Sequence, residues 1–334
     1  MAHASLAQSP DAPDATAFIA HDAGFSAVLG DAPRLVRVAE TDAHEGPAYS
    51  PSEDALYFTT RPAPGPSPGS PVVKVKRLAL DGERFELEAE RVTIVRSDAN
   101  VANGMTLSDG ALVACEQGTE RTRAAVTRFD LESGELVMLA DSWAAQPLNS
   151  PNDVVVRGDG SVWFTDPSYG HLQGFRPEPA LGDYVYRRDP DGRLTPVADS
   201  IDKPNGLAFS PDENVLYVGD SGANQETGSY YPSRAHHIKA FDVSATGRLE
   251  NERLFAVVAP GFPDGIKVDA DGRVYASCFS GVQVFEPEGR LIGEIALPGA
   301  VNFAFGGPEG NVLFITTDDA VWAAVLNVTA TNRD

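Results

Sequence analysis

Apolar and polar positions along the chain alternate in short runs, broken by clusters of Asp, Gly, Pro and Ser, and no long stretch of helical period stands out. Six of these segments share one layout: an acid or amide, an apolar alternating run, a turn, and a second apolar run. They begin at Glu45 (EGPAYSPSEDALYFTT), Asn103 (NGMTLSDGALVACE), Asn152 (NDVVVRGDGSVWFTD), Asn205 (NGLAFSPDENVLYVGD), Asp264 (DGIKVDADGRVYAS) and Asn302 (NFAFGGPEGNVLFITT). Each reads as a β-hairpin. Third strands are predicted at 72–80, 125–130, 184–189, 237–243, 281–286 and 321–325, and fourth strands at 92–96, 136–140, 194–198, 254–258 and 291–297. The last unit lacks its fourth strand, and the unassigned run RLVRVAE at 34–40 lies ahead of the first hairpin. The pattern therefore predicts an all-β, six-bladed β-propeller with four strands per blade, its N-terminal strand closing the last blade. A β-sandwich of similar hairpins is the alternative, but it needs no four-stranded unit recurring six times.

On this reading residues 1–33 form an acidic N-terminal arm and 34–334 a single propeller domain. All-β domains of this length are common. The net charge of -22 argues against nucleic acid, whose phosphates call for Lys and Arg, and favours a bound cation. Cys115 and Cys278 sit in separate apolar runs, so both are expected buried and reduced. The first residues lack a basic stretch followed by an apolar one, and nothing approaches a membrane span, so a cytoplasmic protein without a membrane partner is expected.

The leading residues of the six units are equivalent, so rotational symmetry places Glu45, Asn103, Asn152, Asn205, Asp264 and Asn302 in one ring around the channel. Every member offers a carboxylate or amide oxygen. Such hard donors point to one divalent cation, calcium first, with zinc and manganese as alternatives; a dedicated zinc site would recruit His or Cys. Asn-Gly and Asp-Gly are also ordinary turn formers, which accounts singly for Asn103, Asn205 and Asp264. That account leaves out Glu45 and the recurrence at one register. The Asp269-Ala-Asp271-Gly272 run imitates a calcium loop but lies in a hairpin turn.

The segments SPNDVVVRGDGSVWFTDPSYG (150–170), KPNGLAFSPDENVLYVGDS (203–221) and FPDGIKVDADGRVYAS (262–277) resemble the senescence-marker-protein, gluconolactonase and luciferin-regenerating-enzyme family, with the gluconolactonase branch nearest. The likeness runs over about residues 34 to 326. It implies a six-bladed propeller that binds a divalent metal and hydrolyses small lactones, sugar lactones such as gluconolactone above all. Carried over position by position, it implies Glu45, Asn152, Asn205 and Asp264 as metal ligands. The branch often carries a Cys-Glu-His-Gly run followed closely by Arg; here the run is Cys115-Glu116-Gln117-Gly118, with Arg121 further on.

Connections between second and third strands fall at the metal end and include 61–71, 117–124, 167–183 and 221–236. Asn103, Arg121 and Tyr169 are expected substrate contacts, and so are Glu116 and Asp166, which reach the same rim. Asp264 is the candidate catalytic base as well as a ligand; a ligand-only role is the alternative. Gly219-Asp220-Ser221-Gly222-Ala223 misses the nucleophile-elbow pattern, and the adjacent His236 and His237 would point to opposite faces of a strand. Two other functions stay open: a non-catalytic binding propeller pinned by its metal, and an organophosphate or ester hydrolase on the same scaffold.

Overall fold

The computed structural model describes residues 17–67, 69–82 and 91–331. Its six hairpin units each gain a third and a fourth strand and form six antiparallel blades. The first blade runs Ala43–Ser50, Ala55–Thr60, Val75–Ala79 and Val92–Arg96, from the channel outward. The C-terminal end of the chain supplies only three strands of the last blade, Asn302–Gly306, Val312–Thr316 and Ala320–Val325. Arg34–Glu40 supplies the fourth, with Arg34 opposite Val325 and Glu40 opposite Ala320. The ring is thus closed by hydrogen bonds between the two ends of the propeller, and the strand edge that would face solvent is covered.

The apolar core lies between blades. Trp163 and Phe209 meet edge to face across the third and fourth blades at 5.4 Å, and Tyr275 meets Phe305 across the fifth and sixth at 5.2 Å. Such pairs add directional packing to the burial of large rings. The fully buried Trp163 indole still donates to Ser161 Oγ at 2.8 Å. Cys115 packs between blades two and three and Cys278 between four and five; both are free and buried.

Part of the arm ahead of Arg34 lies against the propeller. Phe18–Ala20 pairs with the outer strand of the fifth blade, Phe18 opposite Ile295, giving that sheet five strands. A short helix, Phe25–Leu29, then buries Phe25 and Val28 in the core between the fifth and sixth blades. Gly293 makes this possible, because a Cβ there would stand 2.2 Å from the Phe25 ring.

The innermost strands explain why glycine follows several ring residues. Gly104 donates its N–H to Asn152 O at 2.7 Å, and Gly206 to Asp264 O at 3.0 Å. A Cβ on Gly206 would lie 2.1 Å from that same Asp264 oxygen. These glycines do not make turns. They let each inner strand approach the next, so the turn-former account of Asn-Gly and Asp-Gly does not hold here.

Candidate functional site

Glu45, Asn103, Asn152, Asn205 and Asp264 come from five different blades and line one cavity of about 190 Å³ at the mouth of the channel. Each enters at the start of its blade, where the tapering inner strands bring the side chains together. The four residues of the expected ligand set are among them. Asn302, the sixth ring member, stands behind: its Nδ2 donates to Glu45 Oε2 at 2.7 Å while its Oδ1 accepts from Phe303 N–H.

The electrostatics of this ring are unbalanced. Burial pushes the Glu45 carboxyl up, and the Asp264 charge adds to the rise. Asp264 is also raised by burial, with hydrogen bonding from Asn205 pulling it back and the Asp153 charge adding to the rise. Asp153 lies beneath the ring with its own carboxyl raised by burial, and Lys267 opposes that shift. Asn152 Oδ1 and Asp153 Oδ2 are buried without a hydrogen-bond partner. Unpaired buried oxygens beside two destabilised carboxylates form a site short of positive charge. Among the described residues no three His, Cys, Asp or Glu side chains gather as a metal site, so a cation here would rely on the amide oxygens as well. That mixture is what calcium accepts.

Around this floor stand groups that sequence reasoning did not single out. His44, next to Glu45, turns its Nδ1 to Asp318 Oδ1 at 2.6 Å. Burial lowers its pKa, but the Asp318 hydrogen bond and the Glu45 charge outweigh this and raise it. The amides of Gln117, Gln173 and Asn224 line the walls, as do the rings of Phe175 and Phe262. These residues belong to irregular rim segments with no repeat register. Tyr169 lines the cavity from a short helix, and its hydroxyl is held far above its ordinary pKa, first by burial and then by the Asp264 charge.

Three expected substrate contacts are placed elsewhere. Glu116 binds Arg96 at 2.8 Å, Thr127 at 2.9 Å and Asn100 at 3.1 Å, and does not line the cavity. Asp166 accepts the N–H groups of Asn149 at 2.9 Å and Ser150 at 2.8 Å. Side chains alternate along a strand, so at the second-strand end Glu116 turns into the blade while Gln117 meets the cavity. Arg121 lines a separate groove beside the cavity.

A family model described as the SMP-30/gluconolactonase/LRE-like region matches residues 43–319. A gluconolactonase of Zymomonas mobilis is 32% identical over 228 residues, which cover 66% of this chain and 62% of that protein. The chain thus spans less than two thirds of that relative's length. A pentonolactonase of Haloferax volcanii is 26% identical over 294 residues, 85% of this chain and 84% of that one. Among solved structures, a Xanthomonas campestris gluconolactonase superposes with a TM-score of 0.75 at 33% identity, covering 94% of this chain and 96% of its own.

Proposed function

Because the chain belongs to the SMP-30/gluconolactonase/LRE-like family, we propose that it hydrolyses small lactones, sugar lactones in particular, with one divalent cation, calcium first, held by Glu45, Asn152, Asn205 and Asp264. The observation that carries this reading is the convergence of those four side chains on one open cavity, with Asn152 Oδ1 unpartnered. The names of the bacterial and archaeal relatives, gluconolactonase and pentonolactonase, support the substrate class. The open cavity disfavours a purely structural pin, which would leave the mouth plugged.

A cation bound there would polarise the lactone carbonyl and offset the negative charge that builds on its oxygen. The chain's own groups do the rest. The Asp264 carboxylate lines the cavity and takes a proton from the attacking water. That proton is returned to the ring oxygen as the ester C–O bond breaks, leaving the hydroxy acid. Asn103, Gln117 and Tyr169 offer hydrogen bonds to substrate hydroxyls from the walls. Rates on a panel of aldonolactones, simple esters and a phosphotriester, each with calcium, manganese or zinc restored after chelation, test the reading. Turnover of aldonolactones ahead of the other classes supports it, and turnover of none of them overturns it.

A further inference from the structure

Asn100 and Val101 both adopt left-handed backbone, at φ 53° and 58°. For the β-branched Val101 this is a true outlier, and such residues persist only where their surroundings fix them. Here the surroundings do. Gln117 N–H donates to Val101 O at 3.1 Å and Gly118 N–H to Asn100 O at 3.0 Å. The Asn100 amide is gripped by Glu116 Oε2 at 3.1 Å and Arg123 O at 2.9 Å. The effect is to press the Val101 side chain into a small apolar cluster with Val73 and Phe175 at the cavity wall.

Behind that wall lies a second groove of about 610 Å³, lined by polar groups that include Ser67, Asp98, Asn100, Arg121 and Thr122. Among the described residues Val101 alone lines both spaces. The inner cavity, about 190 Å³, suits a single sugar ring, while the outer groove offers hydroxyl-binding groups and is lined by none of the ring residues.

We propose that Val101 is a specificity-determining partition: it confines the enzyme to lactones of one-sugar size and keeps disaccharide aldonolactones, whose second sugar would need the outer groove, from reaching the ring. This rests on the lactonase reading above. The buried small apolar side chain, not the backbone strain, sets the limit, so two substitutions separate them. Val101→Gly removes the side chain and fits left-handed backbone without penalty. Val101→Asn also tolerates that backbone but keeps a side chain of similar size.

The test compares kcat/KM for glucono-δ-lactone and cellobiono-δ-lactone in the cation-loaded native protein and both variants. In Val101→Gly the ratio of the disaccharide to the monosaccharide lactone should rise at least about tenfold, while in Val101→Asn it should stay within about threefold of native. A role confined to stability would lower both substrates together and leave the ratio unchanged, which would overturn the proposal. So would an equal rise in the Asn variant. Native protein active on glucono-δ-lactone with no shift in either variant defeats the partition alone. Inactivity of the native protein on both lactones defeats the lactonase reading and the partition with it.

Discussion

Asn302 donates its side-chain amide to Glu45 Oε2 at 2.7 Å, joining the last blade's ring residue to the first blade's across 257 positions of sequence. The bond fixes one oxygen of a buried ring carboxylate whose pKa is raised and sits where the propeller closes. Asn302 thus orients a ligand candidate from behind it, on the side away from the cavity.

Replacing Asn302 with Ala should therefore weaken cation binding although no proposed ligand is lost. A hydrogen bond to a charged group is worth about 1.5–3 kcal/mol, which corresponds to roughly tenfold to a hundredfold in affinity. Calorimetric titration of chelated protein checks this. An unchanged affinity would show that Glu45 needs no such support.

Asp264→Asn separates two roles. If the carboxylate is both ligand and base, saturating cation should restore occupancy and leave turnover down on the order of 10²-fold or more. If it is a ligand only, excess cation should recover most of the rate. Metal content and single-substrate kinetics on the same samples distinguish the two.

Stability of the chelated protein should fall as pH rises. Burial, with the Asp264 charge adding to it, lifts Glu45 to about 8 from 4.5, and burial, with the Asp153 and Asp318 charges adding to it, lifts Asp264 to about 7 from 3.8. The folded state then holds more protons than the unfolded one from about pH 4 to about pH 8, so stability is present at the acid end and lost across that window. A cation takes the place of those protons. The rise in Tm on adding calcium should be larger at about pH 8.5 than at about pH 5.5. A pH-independent rise would place the cation away from these two carboxylates.

Phe25→Ala should cost about 3–5 kcal/mol, measured by urea unfolding, because the ring is fully buried in the core between the fifth and sixth blades. A change near zero would mean that the segment ahead of Arg34 adds nothing to the propeller's stability.

The propeller and its ring were legible because a hairpin of alternating residues repeats six times in register, and symmetry turns a repeated position into a spatial circle. The docking of Phe18 and Phe25 was not. Its partners, such as Ile295, lie hundreds of positions away, and a few apolar residues between polar ones show no period. The rim segments that wall the cavity were expected at the metal end, but which of their side chains face it was hidden for a related reason. Gln117, Gln173 and Asn224 sit on irregular rim segments, where neither alternation nor repetition says which way a side chain turns. Glu116 illustrates the point: one residue before Gln117, it stands on the opposite side of the backbone and braces Asn100 instead of meeting the cavity.

The most direct test is to titrate chelated protein with calcium while following bound metal and hydrolysis of glucono-δ-lactone together. Turnover is expected to rise in proportion to occupancy and to level off at one cation per chain, and Glu45→Gln to shift both curves to higher calcium in parallel. Full lactone hydrolysis by the metal-free protein, or saturation of the metal site with no turnover, would contradict it.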